Sequence, residues 1–172
     1  MFRTAGVALL IVGTISLLAS GSLLCAAEPE PAELVPAQHE LVVLRGRVIF
    51  LAEALQKRFG VTTVPEARER ILALADTEGI LHPLVEDTRG RGFRSDERLR
   101  NVELELWARR HKGSPLLQVI RVFAVKPDGR YELDYWCEIC AIAMFELKEC
   151  DCCQGPIELR ERKVPADFAP SE

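Results

Sequence analysis

Apolar and polar residues alternate along several short stretches of the chain, and this period of two indicates strands with one buried face. The clearest case is 102–108 (VELELWA), where apolar residues occupy every second position. Enrichment in β-branched and aromatic residues predicts another strand over 41–51, with Gly46 at a bend or bulge. Further strands are predicted on either side of two turns, at 71–75 and 81–85 around turn 76–79, and at 116–125 and 131–135 around turn 126–129.

One helix is predicted in this part of the chain. Residues 52–59 (AEALQKRF) are good helix formers, and Gly60 follows them as a stop signal. The polar segment 89–101 predicts a loop. Five strands in a meander with one short helix predict a mostly all-β fold, namely a small OB-like β-barrel (the oligonucleotide/oligosaccharide-binding fold) over residues 40–128.

Three shorter strands are predicted at the C-terminal end, at 131–136, 141–147 and 156–162. A turn with the pattern Cys-x-x-Cys lies between each strand and the next, which is the layout of a zinc ribbon. The sequence therefore predicts a three-stranded, zinc-ribbon-like appendage over 129–163. A unit of this size has too small a core to fold alone, so we expect a crosslink or a metal ion to stabilise it.

Four cysteines of this segment follow the spacing C-x2-C-x9-C-x2-C, and they are Cys137, Cys140, Cys150 and Cys153. Two such pairs, each supplying two sulfurs from one tight turn, are typical of a tetrathiolate zinc site. We expect these residues to bind one zinc ion. Cys152 lies inside the second pair and is an alternative ligand.

Three other uses of the cysteines stay open. Disulfides between the two pairs are possible in an oxidising compartment, although an odd number of cysteines leaves one thiol over. Trp136, Cys137 and Cys140 form a WCxxC motif like that of thiol–disulfide oxidoreductases, but the surrounding βαβ pattern is missing. Copper is the alternative metal, because soft thiolates together with Met144 suit Cu(I).

The N-terminus predicts a signal peptide over 1–27. It has a basic Arg3, an uncharged apolar run over 5–19 and small residues up to Ala27, the predicted cleavage point. The mature protein is then extracytoplasmic, either periplasmic or secreted. It would associate with a membrane only if the signal stays uncleaved or if Cys25 is lipidated. A flexible linker is predicted over 28–39 and a disordered tail over 164–172.

Charge and motifs exclude several functions. The 172 residues carry a formal net charge of −4, which gives no electrostatic reason for nucleic-acid binding. The chain has no Ser-His-Asp spacing, no glycine-rich phosphate loop and no paired-carboxylate motif, so no enzyme is predicted. The scattered histidines (His39, His82 and His111) are interpreted as surface or hydrogen-bonded residues.

Arginines are crowded in the polar segment, at Arg89, Arg91, Arg94, Arg98 and Arg100. One interpretation is a site for an anion or an acidic partner at the mouth of the barrel. The other, which we favour from the sequence, is a solvated loop partly neutralised by Glu86, Asp87, Asp96 and Glu97.

Two sets of residues carry a resemblance to a known class. Segments 46–50, 72–87, 102–104 and 119–122 resemble OB-fold domains of small exported bacterial proteins, and DYWCEIC with CDCCQGP, within 134–156, resembles the C-terminus of an uncharacterised group in that class. The resemblance implies the fold but no activity. We therefore expect an exported metal-binding module that binds or assembles with an extracytoplasmic protein or a small ligand and has no catalytic activity. The alternative is an extracytoplasmic thiol–disulfide oxidoreductase or a copper-handling protein.

Overall fold

The computed structural model describes residues 38–100 and 102–170. The predicted signal peptide (1–27) and nearly all of the predicted linker (28–39) lie outside the described residues. The elements are β1 (His39–Phe50), α1 (Leu51–Phe59), β2 (Leu72–Asp76), β3 (Leu81–Pro83), α2 (Thr88–Ser95), β4 (Leu104–His111), β5 (Leu117–Lys126), β6 (Gly129–Cys137), β7 (Ile142–Met144) and β8 (Glu158–Lys163). Neither helix is long and apolar enough to span a membrane.

The strands form one mostly antiparallel sheet, which agrees with the predicted all-β class. Its order is β3-β2-β1-β4-β5-β6-β7, and β8 pairs with β6. The sheet is not closed. A single parallel bridge links Leu84, after β3, to Leu117 at the start of β5, and the Val85 N–H donates to the Leu117 carbonyl at 2.8 Å. The first five strands therefore curve until the ends of β3 and β5 meet at one point.

The long first strand serves two neighbours. Residues 39–46 of β1 pair with β4, and residues 46–50 pair with β2. Gly46 lies at the change of partner, aligned with both Asp76 and Leu104, which is where the sequence predicts a bend. The helix α1 then follows directly, and Gly60 ends it in the left-handed region at φ 67°, as expected for a C-terminal glycine.

A second helix occupies the segment that the sequence analysis assigned to a loop. Asp87 caps α2, since its Oδ1 accepts from the backbone N–H of Arg89 at 3.1 Å and of Gly90 at 3.0 Å. Gly92 lets the helix approach the rest of the fold closely, because a Cβ there would lie 2.5 Å from the Phe145 carbonyl oxygen. Glycine lowers helix propensity, so the local pattern is that of a loop while the packing requires a helix. The prediction of a single helix was wrong.

The predicted ribbon is continuous with the rest of the sheet. One edge of β6 pairs with β5 over 129–132 and with β7 over 135–137, while β8 pairs along 131–136. Tyr135, Cys137 and Cys150 belong to the same buried apolar cluster as Leu106 on β4. The boundary expected between 128 and 129 therefore falls in a tight turn between two paired strands.

Residues 164–168 pack on this sheet, whereas the sequence predicts a disordered tail over 164–172. The Val164 N–H donates to the Arg130 carbonyl at 3.0 Å, and Arg130 Nη2 donates to the Phe168 carbonyl at 2.7 Å. The Phe168 ring stacks on Trp107, with centroids 5.2 Å apart. An aromatic ring on an aromatic ring supplies the apolar contact that a proline-rich tail otherwise lacks.

Candidate metal centre

The first Cys-x-x-Cys turn joins β6 to β7. Cys137 is the last residue of β6 and pairs with Ile142, the first residue of β7. Between them the chain reverses through Ala141, which adopts a left-handed conformation at φ 52°. Its N–H donates to the Cys137 carbonyl at 2.8 Å. This turn places Cys140 beside Cys137 at the end of the hairpin.

The second turn repeats this geometry without a flanking hairpin. Gln154 is left-handed at φ 58° and donates its N–H to the Cys150 carbonyl at 2.9 Å, while the Cys150 N–H donates to the Gly155 carbonyl at 2.9 Å. Gly155 leaves room for the cluster, because a Cβ there would lie 3.2 Å from Cys153 Sγ and 3.0 Å from Ile139 Cδ1. Each cysteine pair thus lies in a tight turn closed by a left-handed residue directly after the second cysteine.

The two turns bring four sulfurs together. The Sγ atoms of Cys137, Cys140, Cys150 and Cys153 all lie within 4.8 Å of one another. Cys137 Sγ and Cys153 Sγ are 3.5 Å apart. Four sulfurs at about 2.3 Å from a tetrahedral zinc ion are about 3.8 Å apart, so the set fits a metal of that size with only small adjustments. Each described cysteine is a free thiol.

Backbone amides already donate to two of these sulfurs. The N–H groups of Cys153 and Cys152 hydrogen-bond Cys150 Sγ and lower the pKa of that thiol to about 7. The N–H groups of Cys140 and Ile139 bond Cys137 Sγ in the same way, but burial and hydrogen bonds with other cysteine sulfurs raise its pKa. Hydrogen bonds with neighbouring sulfurs, first among them Cys152, also raise the pKa of Cys140. Paired N–H···S bonds are what a thiolate ligand accepts, since they stabilise its negative charge.

Two of the four cysteines are buried in the apolar core, and the other two lie at its edge. Cys137 and Cys150 are 0% exposed and pack in the apolar cluster with Met144 and Ile157, while Cys140 and Cys153 are partly buried against it. Cys152 is exposed and lies outside the group of four. The Cys152 thiol nevertheless helps to raise the pKa of Cys140. The structure therefore brings together the four cysteines named from spacing and leaves the fifth at the rim.

The three histidines lie outside the cysteine group. His82 Nε2 is 2.8 Å from Asp76 Oδ2, and His111 Nε2 is 3.2 Å from Gln118 Oε1. The His39 ring lies beside that of His111, tilted by 57° to it, with ring centroids 5.6 Å apart. Within residues 38–100 and 102–170, no histidine joins a group that could hold a metal ion.

Four carboxylates that the sequence pattern does not reveal are buried among the described residues, each held by arginine: Asp96 by Arg98, Glu105 by Arg45 and Arg130, Asp134 by Arg160 and Arg162, and Glu146 by Arg91. Burial alone would raise the pKa of Glu105, but hydrogen bonds from Arg130, Trp107 and Arg45 outweigh it and lower the pKa. The alternation over 102–108 assigns Glu105 to a solvent face. No local signal shows that Arg130 from β6 and Arg45 from β1 reach it.

Comparison with known proteins adds no relative. No protein-family model matches the chain, and no curated protein or solved structure matches it. The resemblance to small exported OB-fold proteins therefore stays a prediction, and the function is inferred from the geometry of the chain itself.

Proposed function

We propose that this protein is an exported binding or assembly module whose C-terminal part is stabilised by one structural zinc ion on Cys137, Cys140, Cys150 and Cys153. The observation that carries the proposal is the convergence of two equivalent cysteine turns on one point, with all four sulfurs within 4.8 Å of one another. A site closed by four protein ligands leaves no position for a substrate, which is typical of structural zinc.

The stretch between the paired parts of β6 and β8 supports a structural role. Residues 138–157 contain only one three-residue strand, β7, and few of their side chains are buried. Such a segment cannot repay its own ordering entropy by burial. Structural zinc contributes about 10–16 kcal/mol of apparent binding free energy in small peptides at neutral pH, which is enough to order a segment of this length.

The arrangement of the cysteines gives less support to the two alternatives, a thiol–disulfide oxidoreductase and a copper-handling protein. In thioredoxin-type enzymes the first cysteine of WCxxC is exposed at a helix N-terminus. Here Cys137 is fully buried at the end of a strand. Cu(I) prefers fewer thiolates than four, and a tetrahedral four-sulfur set suits zinc better.

A binding role without catalysis is supported by two of the buried acids. Asp96 and Glu105 are both bonded to arginine, and hydrogen bonds lower their pKa against the effect of burial. A general acid needs the opposite shift. We also propose that β1 to β5 form an open OB-like barrel; the order β3-β2-β1-β4-β5 and the parallel bridge from Leu84 to Leu117 support it.

The test is metal content by mass spectrometry on the exported protein, with accessible thiols titrated in the same sample. About one zinc per chain and one reactive thiol, Cys152, are expected. Copper as the bound metal would favour the copper-handling alternative. Absence of metal together with oxidised sulfurs would overturn the structural-zinc proposal.

A further inference from the structure

The five arginines of 89–100 differ in the contacts that their side chains make. Four of them are used inside the fold: Arg91 with Glu146 at 2.7 Å, Arg94 with Glu86 at 2.6 Å, Arg98 with Asp96 at 2.6 Å, and Arg100 with the carbonyl of Phe93. The side chain of Arg89 alone has no hydrogen-bond acceptor and no ion pair in the described part of the chain. Contacts within the fold therefore account for four of the five arginines and leave Arg89.

The guanidinium of Arg89 is half-buried and fixed on one face. Its Cζ lies 3.4 Å from the centroid of the Phe145 ring. Burial and the neighbouring positive charge of Arg121 lower its pKa, yet arginine stays protonated under ordinary conditions. A stacked guanidinium keeps its in-plane N–H donors available, and leaving them without acceptors in a half-buried position is unfavourable.

The nearby carboxylates are occupied by other donors. Asp87 accepts from the backbone of α2 and from Gln118 Nε2 at 3.2 Å. Glu132 accepts from Arg121 and Arg162, and Asp134 from Arg160 and Arg162. These acids reduce the local positive charge but do not bond Arg89.

A second unpaired arginine lines the same cleft. Arg109 on β4 is exposed and has no acceptor among residues 38–100 and 102–170. Together with Arg89 it borders a cleft of about 310 Å³, whose other lining residues are Asp87, Thr88, Gln118, Val119, Ile120 and Phe145. Gln118 is held at both ends of its amide, by Asp87 and by His111, so this part of the lining is rigid.

We propose that the cleft between Arg89 and Arg109 binds a small ligand through an oxyanion, either a carboxylate or a phosphate. Guanidinium groups bind both anions through paired N–H donors, and the volume fits a small molecule. The proposal names a ligand class for the binding role proposed above and rests on that role, but it uses none of the metal ligands.

The test is a titration of the full metal-loaded chain at low ionic strength with inorganic phosphate and, in a separate arm, with succinate, followed by NMR shifts and calorimetry. Saturable binding of either anion with a dissociation constant below roughly 1 mM is expected. The stronger of the two identifies the source of the oxyanion.

Three variants separate this site from general charge. Arg89→Gln and Arg109→Gln should each weaken binding by roughly tenfold or more, because each removes a charged donor. Arg47→Gln is the matched control, since Arg47 on β1 is exposed, has no acceptor in the described chain and does not line the cleft; it should change affinity less than about twofold. Arg109 is exposed, so its variant tests the site even if Arg89→Gln disturbs folding.

Two outcomes overturn the proposal: no saturable binding of either anion up to about 10 mM, or the same loss in the Arg47 variant as in the cleft variants. Zinc content measured on the same samples keeps this failure distinguishable from a failure of the structural-zinc proposal.

Discussion

Cys152 and Cys153 are adjacent in the chain, yet only the second has its sulfur in the group of four. Separate replacement of each by serine therefore compares a metal ligand with a neighbour in the same turn. Structural zinc contributes about 10–16 kcal/mol through four ligands, so an equal share is about 2.5–4 kcal/mol for each. We expect Cys153→Ser to weaken zinc affinity by roughly 70- to 900-fold.

Cys152→Ser is the matched control. The Cys152 side chain is exposed, and the substitution keeps its size and its backbone N–H donor to Cys150. Surface substitutions of this kind usually change stability by less than about 0.5 kcal/mol, so its zinc affinity should stay within about threefold of the parent protein.

The assay is competition for zinc between the reduced full chain and a colorimetric chelator, followed by thermal unfolding with and without excess zinc. Only the Cys153 variant should lose both affinity and zinc-dependent stabilisation. Equal losses in both variants, or a greater loss with Cys152→Ser, would refute the assignment of the four ligands and favour a cluster that includes the fifth sulfur.

Three further outcomes are expected. Removal of metal by a chelator should make the two buried cysteines reactive to alkylating agents while amide protons of β1 and β4 stay protected in hydrogen exchange. Gly92→Ala should lower the free energy of unfolding by about 1–3 kcal/mol in urea titrations, because its Cβ would lie 2.5 Å from the Phe145 carbonyl oxygen. Burial would raise the pKa of Asp96, but hydrogen bonds from Arg98 and Tyr135 outweigh burial and lower the pKa below its ordinary value. The stabilisation from this carboxylate is therefore complete above its unfolded pKa of about 3.9. It is lost as the pH falls through the lower folded pKa. Asp96→Asn should therefore destabilise the protein by about 1–3 kcal/mol at neutral pH, with a smaller difference from the parent below about pH 3; a difference independent of pH would contradict this account.

The cysteine turns were predictable because their geometry is local. Two cysteines separated by two residues, followed by a residue that reverses the chain, determine most of each turn. The left-handed residues Ala141 and Gln154 occupy the same place after the second cysteine of each pair. Spacing also favours Cys153 over Cys152, since only Cys153 stands three residues after Cys150. How the two turns meet depends on β6 and β8, which no local pattern specifies.

The features that sequence reasoning missed all depend on distant partners. The helix α2 is poor in propensity but packs against Phe145, about fifty residues along the chain from it. The buried position of Glu105 depends on Arg130, which reaches it across β5 from β6. Phe168 is held by a ring contact with Trp107, about sixty residues away along the chain. Each is a tertiary contact that overrides a correctly interpreted local pattern.

Phe145 connects the metal centre with the rest of the molecule. It lies in the chain between Cys140 and Cys150, its ring supports the guanidinium of Arg89, and its carbonyl oxygen lies against α2 at Gly92. Because residues 138–157 have little regular structure of their own, the position of Phe145 depends on the two cysteine turns that flank it. Binding of a metal by these cysteines would therefore also fix one wall of the arginine cleft, and it would link the proposed metal to the proposed ligand binding.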